Sequence, residues 1–93
     1  MKKLDFRVRV EVDPQTGRTL AVYLRVRQGR AAEVVELEDG NAFADYDRNG
    51  WLLGVELLAP CRVAVFDRLT KKEPKLVREF FHRTVPQEMA IGA

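Results

Sequence analysis

The chain has one cysteine, Cys61, and one histidine, His82, in 93 residues. A lone cysteine closes no internal disulfide, which fits a reducing, cytoplasmic compartment. No histidine lies near it in sequence to activate it, so Cys61 reads as a small buried apolar residue rather than a nucleophile. His82 has no cysteine or second histidine at ligand spacing and reads as a solvated surface residue. Long apolar runs are also missing. None approaches the roughly 18–20 residues that a membrane-spanning helix needs, so no membrane partner is expected. The basic start Met1-Lys2-Lys3-Leu4-Asp5 is followed by no apolar stretch or small-residue cleavage site, and no signal peptide is read there. Neither sign of charge dominates: 16 Lys and Arg against 14 Asp and Glu leave +2, too balanced to argue for nucleic acid by itself. There is no phosphate-cradling glycine loop, no Ser-His-Asp layout, no internal repeat and no linker. No cofactor is implied, and the chain reads as a non-enzyme.

What is present is a well-mixed globular composition, 46% hydrophobic and 32% charged, which excludes a disordered chain. The length suits a single domain over residues 1–93, with a β core in 1–60 and a connecting segment and helix in 61–93. Phe6, Val8, Val10 and Val12 alternate with Arg7, Arg9 and Glu11, the period of a half-buried strand. Asp13-Pro14-Gln15-Thr16-Gly17 supplies turn chemistry. Leu20, Val22, Leu24 and Val26 then share one strand face, with Thr19, Ala21, Tyr23, Arg25 and Arg27 on the other. Gln28-Gly29-Arg30 reads as a second turn. Val35 and Leu37 alternate with Glu36 and Glu38 in a third strand that Asp39-Gly40 ends. Phe43, Asp45 and Tyr46 begin a fourth. Asp47-Arg48-Asn49-Gly50 is a hairpin signal, and Leu53, Val55 and Leu57 form the inward face of a fifth strand. Ala59-Pro60 stops it.

From Cys61 to Leu69 two periods compete: Val63 and Val65 fit a strand, whereas Cys61, Val65 and Leu69 fit a helix. The segment is read as strand or irregular. Thr70-Lys71-Lys72-Glu73 has capping-box spacing. Beyond it, Leu76, Val77, Phe80 and Phe81 make one apolar stripe on a helix flanked by Lys75, Arg78, Glu79 and Arg83, and Pro86 ends the helix. The tail from Gln87 to Ala93 is expected to fray. The expected fold is α+β: an antiparallel β-meander of four to five strands with a C-terminal helix packed on one face.

Asp45-x-Asp47-x-Asn49-Gly50, five residues, then Glu56 matches the calcium-loop pattern of an EF-hand. The chemistry is apt, because calcium takes six to eight oxygens and the final glutamate grips it with both. The context is wrong: an EF-hand needs a helix on each side, and Pro60 follows Glu56 closely. The residues read as a hairpin turn, with weak calcium binding by Asp45, Asp47, Asn49 and Glu56 as an alternative.

The stretch Gly40 to Leu58 resembles a family of small uncharacterised prokaryotic proteins. Their hallmark is Asp-aromatic-Asp, two residues, Gly, three residues, then Gly-Ile-Glu-Ile. Asp45, Tyr46, Asp47, Gly50, Gly54, Val55, Glu56 and Leu57 take those places, and Asp13-Pro14 and Tyr23-Leu24 resemble an earlier part of the pattern. The resemblance covers about Glu11 to Pro60; from Cys61 onward the chain departs from the usual ending. It implies an antiparallel meander and, since some members look like partners of small toxin-like proteins, an antitoxin-type role.

Interaction is the leading functional expectation. Ala21, Tyr23, Tyr46, Leu52 and Leu58 lie opposite the main apolar faces of their strands, and a sheet apolar on both sides wants a second cover. Phe80 and Phe81 point about 100° apart on a helix, so one is expected to face the sheet and the other a partner. The candidate interaction residues are therefore Tyr23, Tyr46, Leu52, Lys75, Arg78, Phe80, Phe81 and Arg83, and the partner is another protein or a second copy. Between Arg62 and Arg83 seven basic residues face three acidic ones (Asp67, Glu73 and Glu79). Nucleic-acid binding along that helix is the alternative.

Overall fold

The computed structural model describes residues 3–37, 40–86 and 89–91. The expected ends at Glu38 and Asp39, the start Met1-Lys2, and Gln87, Glu88, Gly92 and Ala93 lie outside those residues. The strands are β1 (Arg7–Val12), β2 (Thr19–Arg25), β3 (Glu33–Leu37), β4 (Ala42–Tyr46) and β5 (Leu52–Leu58). A two-residue strand β6 (Cys61–Arg62) leads into α1 (Ala64–Thr70) and α2 (Lys75–Thr84), and β7 (Ala90–Ile91) pairs parallel with β6. The fold is thus α+β, with a five-stranded antiparallel sheet and a C-terminal helix pair.

The sheet is not a strict meander. Its order is β1-β2-β5-β4-β3, so the β1–β2 hairpin docks against the last strand of a β3–β4–β5 meander. The expected tight turn at Gln28-Gly29-Arg30 is instead a crossing connection. Its first residues stay tied to the β2 side, where the N–H groups of Val26 and Arg27 both donate to Leu53 O, at 2.7 and 3.1 Å. Its end is tied to the opposite side, where Ala32 N–H donates to Tyr46 O at 2.8 Å.

Two of the hairpin turns follow their sequence chemistry. In the first, the Asp13 carboxylate accepts the Gln15 N–H and Gly17 adopts φ 75°. In the second, Asp47 Oδ1 accepts the N–H groups of Asn49 and Trp51, both at 2.9 Å, and Gly50 adopts φ 85°. Strands flank this loop on both sides, so it is a hairpin turn and not a helix–loop–helix.

A bulge in β5 decides which side chains point where. Asp45 pairs with Gly54 but Tyr46 pairs with Leu52, which leaves Leu53 as the extra residue. Past the bulge the alternation reverses. Leu52, expected opposite Val55 and Leu57, therefore joins their core cluster, and Tyr46 packs against that cluster. Leu53 is also buried but stands outside it.

The segment 61–70 corrects the strand-or-irregular reading. Only Cys61 and Arg62 are strand; the rest is helix, with Val65, Phe66, Leu69 and Thr70 buried in the i, i+1, i+4, i+5 pattern of one helical face. The capping box does not form either. Thr70 closes α1, its hydroxyl donating to Phe66 O at 2.7 Å, and Pro74 precedes α2 with no side-chain cap. Both helices cover one face of the sheet. Val22, Leu24, Ala42, Ala44, Val55 and Leu57 meet Val65, Phe66, Leu69, Val77, Phe80 and Phe81 in a single core. Phe66 and Phe81 contact edge to face with centroids 6.2 Å apart, and Phe80 stacks on Phe6 at 4.3 Å. The tail contradicts the expected fraying as far as it is described: Met89 is buried, and Cys61 N–H donates to its carbonyl.

Candidate functional site: the open face of the sheet

Both helices lie on one face of the sheet, and among the described residues no element covers the other. The register assigns its rows. One runs Arg9, Tyr23, Glu56, Phe43 and Glu36 across β1, β2, β5, β4 and β3. The next runs Arg7, Arg25, Gly54, Asp45 and Val34. Positive charge therefore collects on β1 and β2, and negative charge on β5, β4 and β3. Tyr23 and Phe43 supply aromatic surface within the same row.

Tyr23 organises this face. The guanidinium groups of Arg9 and Arg25 lie 5.5 and 5.8 Å from its ring centre, within cation–π range. Its hydroxyl donates to Asp45 Oδ2 at 3.2 Å. The ring crosses Gly54, where a side chain would collide: a Cβ there would sit 2.7 Å from Tyr23 Cζ. Glycine in this strand is thus explained by close approach of a neighbour. Partial burial, followed by the Asp45 charge, raises the Tyr23 pKa above its usual 10.0. The phenol stays a hydrogen-bond donor through the neutral range. A shallow depression of about 350 Å³ is lined by Arg9, Tyr23, Val34, Phe43, Asp45 and Glu56.

The structure divides the expected interaction residues. Tyr23 is on the open face. Leu52 is turned to the helix side by the bulge and is buried, and Tyr46 lies on that side by alternation with Ala42 and Ala44, so neither contributes to the open face. Phe80 and Phe81 are both in the core, at 5% and 0% exposure. The expectation that one of them faces outward fails, because Phe80 turns toward Phe6 while Phe81 meets Phe66. Leu76, expected in the apolar stripe, is the residue left outside. Lys75, Arg78 and Arg83 are exposed on α2, with Arg78 reaching Asp67 at 3.3 Å. The exposed His82 reaches the same carboxylate at 3.4 Å.

The calcium-loop residues do not converge. Asp45 lies on the open face bonded to Tyr23, Glu56 sits on β5, and Asp47 folds into its own turn beside the exposed Asn49. Among the described residues no three of His, Cys, Asp or Glu are grouped to hold a metal ion. Among them, too, no helix is long and apolar enough to cross a membrane.

Sequence reasoning missed Arg27. Alternation places it with Arg25 on an outer face, yet it is fully buried. Its Nη2 meets Glu73 Oε1 at 2.6 Å, its Nη1 donates to Leu52 O at 2.9 Å, and its guanidinium lies 4.9 Å from the Trp51 ring centre. Glu73 is 46 positions away, in the connection between the helices. No local spacing signals such a pair.

No protein-family model matches the chain, and no curated protein or solved structure matches it either.

Proposed function

We propose that the protein is a small cytoplasmic protein-interaction module whose binding surface is the open face of the sheet. The carrying observation is the one-sided helix layer. It leaves Tyr23, clamped by Arg9 and Arg25, beside Phe43 and Val34 on a bare five-stranded surface. Aromatic and arginine side chains are the residue types that most often dominate protein interfaces. The separation of charge suits a partner with an acidic patch over β1 and β2 and a basic one over β4 and β5. The resemblance of the Gly40–Leu58 hairpin supports the narrower form of this reading, an antitoxin-type role. Nucleic acid along α2 draws less support, because the basic residues there are interleaved with Asp67 and Glu73, and Asp67 takes Arg78.

The test is affinity capture from lysate of the source cells with wild-type protein and with Phe43→Ala and Arg25→Ala variants, each verified as folded by circular dichroism. One protein retained through high salt by the wild type and lost from both variants is the expected result. Equal retention by all three, or nucleic acid that washes away with salt, overturns the reading.

A further inference from the structure

The edge strand β1 carries a second surface. Among the described residues, six large hydrophobic side chains are exposed, and three of them are on this strand: Val8 at 45%, Val10 at 46% and Val12 at 48%; Leu20 of β2 is a fourth. The three valines project to the helix side of the sheet, as the pairing of Val8 with Leu24 and Val10 with Val22 requires. The helix layer stops short of them: Phe80 covers Phe6, the residue preceding β1. Among the described residues β1 pairs only with β2, so its other side presents unpaired backbone groups, a template for one more strand.

The sequence of this edge is self-complementary. Arg7, Arg9, Glu11 and Asp13 alternate with the valines, two positive charges followed by two negative ones, with Val10 at the centre. Antiparallel pairing of β1 with β1 of a second copy, about a two-fold axis through Val10, sets Val10 against Val10, Val8 against Val12 and Arg9 against Glu11. Arg7 and Asp13 continue the antisymmetry at the next rung. Opposite charges directly across two antiparallel strands stabilise the pair, and like charges there destabilise it. The opposite edge lacks this property. In β3, pairing Val34 with Val35 of a second copy would set Glu33 against Glu36, two like charges.

We infer that two copies of this chain associate edge to edge through β1, in the register centred on Val10, to form a continuous ten-stranded sheet. An isologous contact of this kind closes at two copies. It does not rest on the open-face reading, although Arg9 borders both surfaces: a chain that binds nothing on that face still pairs at β1, and the reverse also holds. The interface is small, two six-residue strands and their valines, so the dimer should be reversible in the range of about 10–100 µM.

Charge reversal tests the register by sedimentation of the purified full chain. R9E alone sets Glu11 against a second acidic group, and E11R alone sets Arg9 against a second basic one. Each is expected to weaken self-association at least tenfold. An equimolar mixture of the two variants restores both cross-strand pairs and is expected to form a heterodimer. Val10→Cys offers a second readout. Directly paired Cα atoms in antiparallel strands lie about 4.5–5.5 Å apart, within the range a disulfide spans. Oxidation should therefore link Val10→Cys into a covalent dimer and leave Val34→Cys on the opposite edge unlinked. A wild-type chain that is monomeric at ~300 µM overturns the proposal. So do single variants that fail to pair in the mixture, or growth beyond two copies.

Discussion

Gly54 shows most directly how one residue shapes the open face. Its missing side chain is the space into which the Tyr23 ring fits, and that placement brings the phenol to Asp45. Gly54→Ala should cost about 1–2 kcal/mol, the range of modest overpacking, because the ring must swing aside. In the background of Tyr23→Ala the same substitution should cost less than half as much. Urea unfolding of the four chains gives the coupling directly. Equal cost in both backgrounds would mean that the ring does not occupy the space over Gly54. The same tyrosine and Tyr46 share a second property. Burial first, then the charge of Asp45 for Tyr23 and of Glu73 for Tyr46, holds both pKa values above the ordinary 10.0. Both groups are neutral in folded and unfolded chains well below that value. As pH rises past it, the unfolded chain gives up its protons first, so stability falls through the alkaline range and levels off above the folded values. The melting temperature should decline from about pH 9 upward, and Tyr23→Phe should make the decline shallower.

Between elements, the contact most exposed to a single change is the Arg27–Glu73 pair. It ties the connection after β2 to the connection between α1 and α2, with both side chains nearly or fully excluded from water. A buried charge stripped of its partner is costly, so Glu73→Ala should destabilise by about 3–5 kcal/mol in denaturant unfolding. Replacing both residues, as R27M with E73L, should recover most of that loss, since well-packed apolar groups often substitute for a buried pair. A double variant no more stable than Glu73→Ala would show that the pair contributes more than charge compensation. This contact also marks where sequence reading stops. The strands from Arg7 to Leu58 are legible because period-two alternation and the Asp13-Gly17 and Asp47-Gly50 turns act locally. Their order is not, because docking of β2 on β5 is a choice between distant partners. The bulge at Leu53 inverts Leu52 with no local signal, and Tyr46 faces inward because the buried face of β4 is that of Ala42 and Ala44 rather than that of Phe43. Helix α1 was obscured because Val63 and Val65 carry a strand period that the burial of Phe66 and Leu69 overrides. Tyr23 was legible as a surface candidate; its clamps Arg9 and Arg25 became visible only when β1 and β2 were set side by side.

At the scale of the whole molecule, the fold is unevenly covered. Two short helices shield the centre of one sheet face, and the valines of β1 lie beyond their reach. A domain of this size has only a modest margin of stability, so association that buries part of that edge should register in the melting temperature. If two copies pair through β1, unfolding is coupled to dissociation and the melting temperature depends on concentration. Converting a tenfold rise in concentration through the unfolding entropy of a chain this size gives an increase of about 2–4 °C, once the dimer is the main species. Calorimetry between ~30 and ~300 µM should show that rise for the wild type and a flat response for R9E, whose edge repels its own copy. Phe43→Ala, on the open face, should keep the wild-type slope. A flat wild-type response would place the exposed valines among ordinary surface hydrophobics and remove the two-fold sheet. A rise shared by R9E would locate self-association elsewhere on the molecule. The loss of slope must follow β1 and spare Phe43→Ala, because the charge antisymmetry about Val10 belongs to β1 and Phe43 on β4 takes no part in it.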